Sequence, residues 1–158
     1  MTKLNEKEKY SLILIPLNSI HHITTQKLLQ KTLKNIFKAL KPKGKLIFST
    51  QFYSKEILKL KNYTFVEHYE KTDWGIEIDL YLKYIKSKQL LKERFVVKDD
   101  HVGKTQKFDL MDLYCFEKKE LEKLLAEAGF EDIKTYQDFK YTPFKKGSDL
   151  GLWSASKN

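Results

Sequence analysis

Cysteine, arginine, glycine and proline are all scarce in this chain of 158 residues. A single cysteine, Cys115, excludes an internal disulfide and any cysteine-based metal knuckle, and fits a reducing compartment. Six glycines and three prolines exclude a collagen-like or low-complexity chain. No apolar run exceeds four residues, the length of Leu12–Ile15, whereas a membrane helix needs roughly 20. Met1–Lys9 is too charged for a signal peptide, so the expectation is a soluble, cytoplasmic protein without membrane contact. Histidine is also sparse. His21 and His22 are adjacent and point apart, while His68 and His101 stand far off without ligand spacing, so no metal site is expected.

What the chain has is apolar and charged matter in globular proportion, 41% hydrophobic and 32% charged, which argues for a folded core and against disorder. Its length suits one domain spanning 1–158. The net charge of +9 is unevenly placed. Residues 1–60 hold 12 basic and 3 acidic side chains, and the remainder is balanced. Lys27, Lys31, Lys34, Lys38 and Lys41 follow helical spacing and form one stripe. Nucleic-acid contact is one reading of it, a solvated helix face the other. The presence of only one arginine, Arg94, favours the solvated face, because phosphate-reading surfaces exploit the guanidinium fork.

Along the chain, Tyr10–Ile15 is a nearly unbroken apolar run ended by Pro16, as in a parallel strand covered on both faces. Thr25–Leu40 places Leu29, Leu33, Ile36 and Leu40 on one helix face, with Thr24 or Thr25 as N-cap. Pro42-Lys43-Gly44 makes a turn into a second strand over Lys45–Gln51. Strand, helix and strand form a crossover unit, which requires the strands to be parallel. From 63 to 116 the pattern changes to alternation, as in Ile76, Ile78, Leu80, Leu82 and Tyr84, predicting three or four antiparallel strands with turns at Asp73–Gly75 and Asp99–Lys104. Glu117–Ala128 is helical, weakly capped at its start and ended by Gly129, with Phe130 folding back on Leu124 or Leu125. Ile133–Phe139 and Leu150–Ser156 are the last strands predicted.

Four segments in this order carry a likeness to a known family: YSLILIPLNSIHHI, LLQKTLKNIFKALKPKGKLIFST, FEKKELEKLLAEAGFEDIKTYQDF and YTPFKKGSDLGLWSASKN. They resemble the fourth strand and its loop, the following helix and fifth strand, the late helix with the sixth strand, and the final strand of class I S-adenosylmethionine-dependent methyltransferases. The alternating middle resembles the antiparallel insertion that many members carry. The resemblance covers about two thirds of the chain. It implies an α/β fold: a truncated Rossmann-like methyltransferase sheet, parallel strands plus an antiparallel C-terminal strand, with an antiparallel β insertion over 63–116.

The departures are equally specific. The family grips its cofactor with a glycine-rich turn after the first strand and an acid after the second. Neither is present, since no two of Gly44, Gly75, Gly103 and Gly129 are separated by one residue. At the late helix, Phe116-Glu117 stands where the family has serine or threonine. The resemblance thus implies the C-terminal half of such an enzyme, with the first three strands missing. S-adenosylmethionine is the implied cofactor, bound weakly or not at all by this chain alone. The implied partners are a homodimer mate or a separate chain carrying the missing strands, together with a small-molecule substrate; nucleic acid is not expected. By matching the loop beside the cofactor's methyl-bearing end, Leu17, Asn18 and Ser19 are candidate cofactor neighbours, and His21 and His22 candidate substrate contacts. The plainer reading is that Asn18 and Ser19 turn the chain and the histidines begin the helix. No catalytic residue is assigned. The acidic stretch Glu67–Asp79 can offer a base, although alternation makes most of it the wet face of a ribbon; Cys115 reads as a buried structural thiol.

Overall fold

The computed structural model describes residues 3–70 and 72–158. It divides into two compact units, one formed by Met1–Tyr53 with Cys115–Asn158 and the other by Ser54–Tyr114.

In the first unit, β1 (Tyr10–Ile15) leads through a loop and a short helical turn at Ser19–His22 into α1 (Gln26–Ala39). The Thr25 side chain accepts the Leu28 N–H and caps α1, and Leu29, Leu33 and Ile36 are fully buried. Strand β2 (Leu40–Gln51) starts earlier than the sequence predicts. Its pairing with β1 jumps from Tyr10↔Leu40 to Leu12↔Lys45, so Pro42-Lys43-Gly44 is a bulge inside the strand rather than a turn before it, with Lys43 left-handed at φ 64°. The β1–β2 pair is parallel, as a crossover requires.

Helix α2 (Lys118–Glu127) opens on a capping box between Glu117 and Glu120, which corrects the expected weak start: a glutamate does the work usually given to serine. It closes at Gly129, φ 102°, where an added Cβ would lie 2.9 Å from the Phe37 ring. Gly129→Ala is therefore expected to cost more than about 1 kcal/mol, read as a lowered urea midpoint at unchanged slope. Strand β7 (Glu131–Tyr136) is shorter than predicted. After Tyr136 the chain doubles back, with the Asp138 carboxylate accepting the Lys140 and Thr142 N–H groups and Phe144 N–H bonding Thr135 O. Strand β8 (Leu150–Ser156) lies antiparallel between β2 and β7, giving the order β1-β2-β8-β7.

Burial along these strands alternates. Ile15, Leu46, Phe48, Trp153 and Ala155 are buried, whereas Leu12 and Leu14 on the opposite face are 48% and 59% exposed. The apolar run of β1 predicts cover on both faces; the structure covers one. Helices α1 and α2 pack side by side, Gln30 Nε2 donating to Glu127 and the Phe37 ring meeting Phe130, and so screen a single side of the sheet. Among the described residues β1 is also an edge, paired with β2 alone. An open concavity of about 540 Å³ runs along it, lined by Leu12–Ile15 and by Lys3, Leu4 and Glu6.

The second unit is a four-stranded antiparallel sheet in sequence order: β3 (Thr64–Tyr69), β4 (Ile76–Ile85), β5 (Leu90–Asp99) and β6 (Lys104–Tyr114). Cross-strand register puts Ile78, Leu80, Phe95 and Phe108 on one face and a charge ladder on the other. Arg94 grips Asp109 bidentately and stacks on Tyr63 at 3.7 Å, and Lys92 pairs with Asp112. No helix of the described residues is long and apolar enough to cross a membrane.

Candidate functional site

The carboxyl ends of parallel strands are where open α/β sheets hold ligands, because loops diverge there and leave a crevice. Here that place is the loop after β1. Leu17 and Asn18 both adopt left-handed backbone, at φ 54° and 55°, and neither is glycine. Successive left-handed L-residues store of order 1–2 kcal/mol each, which the surrounding structure must over-determine. Two contacts do so: Asn18 N–H donates to Ser49 Oγ at 2.9 Å, and Ser19 Oγ donates to Pro16 O at 2.7 Å. Leu17 is 88% exposed. The Asn18 Oδ1, by contrast, is buried and accepts no hydrogen bond among the described residues. Such an orphan acceptor costs about 1–3 kcal/mol until a donor reaches it.

The two candidate histidines part company. His22 is exposed, while His21 is buried, its ring stacked on Phe116 at 4.6 Å and edge-on to Tyr53 at 6.1 Å. Its Nε2 accepts the backbone N–H of Gln51 at 3.0 Å. Ser49, Gln51, Tyr53 and Phe116 are not among the site residues expected from sequence, where Phe116 figures only at the start of the late helix. The first three follow from the same crevice rule applied to the end of β2, the second parallel strand; Phe116 is brought in by the tertiary fold alone.

In the second unit the acidic stretch is engaged in local pairing. His68 Nδ1 and Asp79 Oδ1 lie 2.6 Å apart, Lys98 reaches Asp79 Oδ2 at 3.3 Å, and the Tyr69 hydroxyl donates to Glu67 at 2.9 Å. The His68 hydrogen bond, with Lys98 helping, holds the Asp79 carboxyl below its ordinary range. Among the described residues no group of three or more His, Cys, Asp or Glu is placed to hold a metal ion. Cys115 is buried.

The fold is mixed α/β and similar to that of solved methyltransferases. No protein-family model and no curated protein matches the chain. Among solved structures it is similar to the CcbJ methyltransferase from Streptomyces caelestis, with a TM-score of 0.82 at 18% identity over 99% of this chain and 61% of that one. An S-adenosylmethionine-dependent methyltransferase from Clostridium acetobutylicum gives 0.80 at 17% identity, over 99% of this chain and 62% of that one. The amino pentose methyltransferase CalS10 from Micromonospora echinaspora, solved with S-adenosylmethionine bound, gives 0.68 at 14%, over 99% and 62%. The chain thus spans about six tenths of the length of the structures it matches.

The loop after β1 offers an acceptor without a hydrogen bond among the described residues and a strained turn, and the sequence has no glycine-rich turn of the G-x-G kind ahead of it.

Proposed function

We propose that this chain is the carboxyl-terminal portion of an S-adenosylmethionine-dependent methyltransferase acting on a small molecule in the cytoplasm. A further polypeptide segment carrying the glycine-rich strands completes its cofactor site. The observation that carries this reading is the Leu17–Ser19 loop: two strained residues and an orphaned amide oxygen at the carboxyl end of a parallel pair, within a methyltransferase fold. The open edge of β1 and the exposed Leu12 and Leu14 beside it support a partner on that side, either a chain bearing the missing strands or a second copy of this one. The cofactor supplies an electrophilic methyl group, so the protein's task is chiefly to align the acceptor and exclude water. Leu17, Asn18 and Ser19 line the cofactor side of the loop, and the exposed His22 faces the substrate.

Calorimetry with S-adenosylmethionine and the isolated chain is expected to show no binding in the low micromolar range, because one loop cannot replace a glycine turn. Co-expression with the coding DNA ahead of the Met1 codon is expected to yield a complex that does bind. Low-micromolar binding by the isolated chain, or a complex that binds no cofactor, overturns the reading. The absence of the glycine turn favours one alternative, a non-catalytic binding or interaction module, and that second outcome would favour it.

The lysine stripe is proposed to be a solvated face: Lys27, Lys31, Lys34 and Lys38 are exposed on α1, and Lys41, which the structure places in β2 rather than on the helix, is exposed as well. Nucleic-acid binding is expected to be weak at physiological salt and indifferent to base sequence. Submicromolar binding near 150 mM salt, abolished by Lys31→Glu, Lys34→Glu and Lys38→Glu together, would reverse this.

A further inference from the structure

At the end of β2 two side chains take over from backbone pairing. Phe52 N–H bonds Asp149 O, on the β8 side. By the alternation of a strand, the N–H of Gln51 therefore points to the β1 side. β1 has ended by then, its last rung being Ile15↔Phe48, and no strand is there to receive that N–H. The chain has left the sheet through the left-handed pair Leu17-Asn18 and returns as the short turn Ser19–His22, which delivers the His21 imidazole to the vacant rung. Two positions earlier, Ser49 Oγ receives the Asn18 N–H. The loop is tied to β2 at both of its ends.

We infer that His21 is a positioning residue of the proposed cofactor site, a latch that fixes Leu17–Ser19 by holding the Gln51 N–H, and does not itself touch substrate. The inference rests on the functional reading above for the word cofactor, but the latch itself rests only on geometry. An Nε2 that accepts a backbone N–H carries no proton, so the neutral ring must be the Nδ1–H tautomer. The ring is held on its flat side by Phe116 and at its edge by Tyr53, so it cannot swing out without giving up both contacts. With 1% exposure it has no surface to offer a substrate. Adjacent His22 is exposed and free of this duty, which separates the roles of two neighbours that the sequence presents as equivalent.

The test is nuclear magnetic resonance on the full chain, which needs neither cofactor nor activity. Long-range proton–nitrogen spectra at neutral pH are expected to show the Nδ1–H tautomer at His21. His21→Leu, which keeps bulk and removes the acceptor, is expected to speed Gln51 amide exchange about tenfold and to shift the Leu17–Ser19 resonances, leaving the Leu33 and Ile36 amides protected. His21→Gln carries an acceptor at similar reach and is expected to restore most of the protection. If His21→Leu fails to fold, the tautomer and the glutamine variant decide. An Nε2–H tautomer, unchanged Gln51 exchange in the leucine variant, or undisturbed Leu17–Ser19 resonances overturns the latch. A latch that stands in a chain whose completed complex binds no S-adenosylmethionine would refute the functional reading and leave the latch intact.

Discussion

Trp153→Ala is expected to remove about 3–5 kcal/mol of stability, the usual cost of emptying a buried tryptophan site. Trp153 is fully buried, stacked parallel on Phe48 at 5.6 Å, and its Nε1–H donates to Thr50 Oγ1 at 2.9 Å. It sits in β8, the central strand between β2 and β7, so the cavity opens where the sheet is held from both sides. Against a total of about 5–15 kcal/mol for a typical domain, the loss leaves the fold marginal or unfolded at ambient temperature. Trp153→Phe keeps a ring against Phe48 and forfeits the indole hydrogen bond, so it is expected to cost about 1–3 kcal/mol. Urea unfolding followed by far-ultraviolet circular dichroism separates the two. Equal costs would show that the hydrogen bond to Thr50, and not the packing, dominates.

The second large effect concerns β1. An apolar edge strand pairs with whatever it meets unless charge, proline or a bulge blunts it, and Leu12–Ile15 has none of these along its length. The isolated chain is accordingly expected to scatter light as an assembly heavier than 18.8 kDa. Leu14→Lys is the sharper variant. Leu14 is already 59% exposed, so a lysine there costs the chain's own fold within about 0.5 kcal/mol, whereas in a paired edge it buries an unmatched charge. Self-association is expected to weaken about a hundredfold or more. Ile13→Lys acts on the same edge, but Ile13 is half-buried, and part of its effect is lost packing. A stable monomer at high concentration, with Leu12–Ile15 amides exchanging rapidly, would refute the pairing.

Much of this fold was legible because its signals are local. The lysine and leucine spacings of 25–40 outline α1 to within a residue at each end, since a helix repeats every 3.6 residues whatever lies nearby. The alternation over Ile76–Tyr84 outlines β4 for the same reason; the turn at Asp73–Gly75 falls between β3 and β4, and that at Asp99–Lys104 joins β5 to β6, its two end residues belonging to the strands. The bulge at Pro42-Lys43-Gly44 was not legible: a proline and a glycine after a helix read as a turn, and only the pairing of Leu40 with Tyr10 draws them into a strand. The capping box of α2 was missed because residue preference at an N-cap is statistical, while Glu117 and Glu120 satisfy each other by geometry.

The sequence by itself determined which segments are helix and strand, and that β1 and β2 are parallel, because periodicity and the length of a crossover are properties of the chain alone. It also pointed to the loop after Ile15 as a candidate ligand site, because open α/β sheets hold ligands at the carboxyl ends of their parallel strands. Only the tertiary structure decided that β1 is covered on one face and open at its edge, because burial depends on what other segments arrive to cover it. It alone decided that His21 turns inward and His22 outward. Two adjacent identical side chains differ only in the neighbours they meet, and the N–H of Gln51, the ring of Phe116 and the ring of Tyr53 come to His21 from positions 30 to 95 residues away.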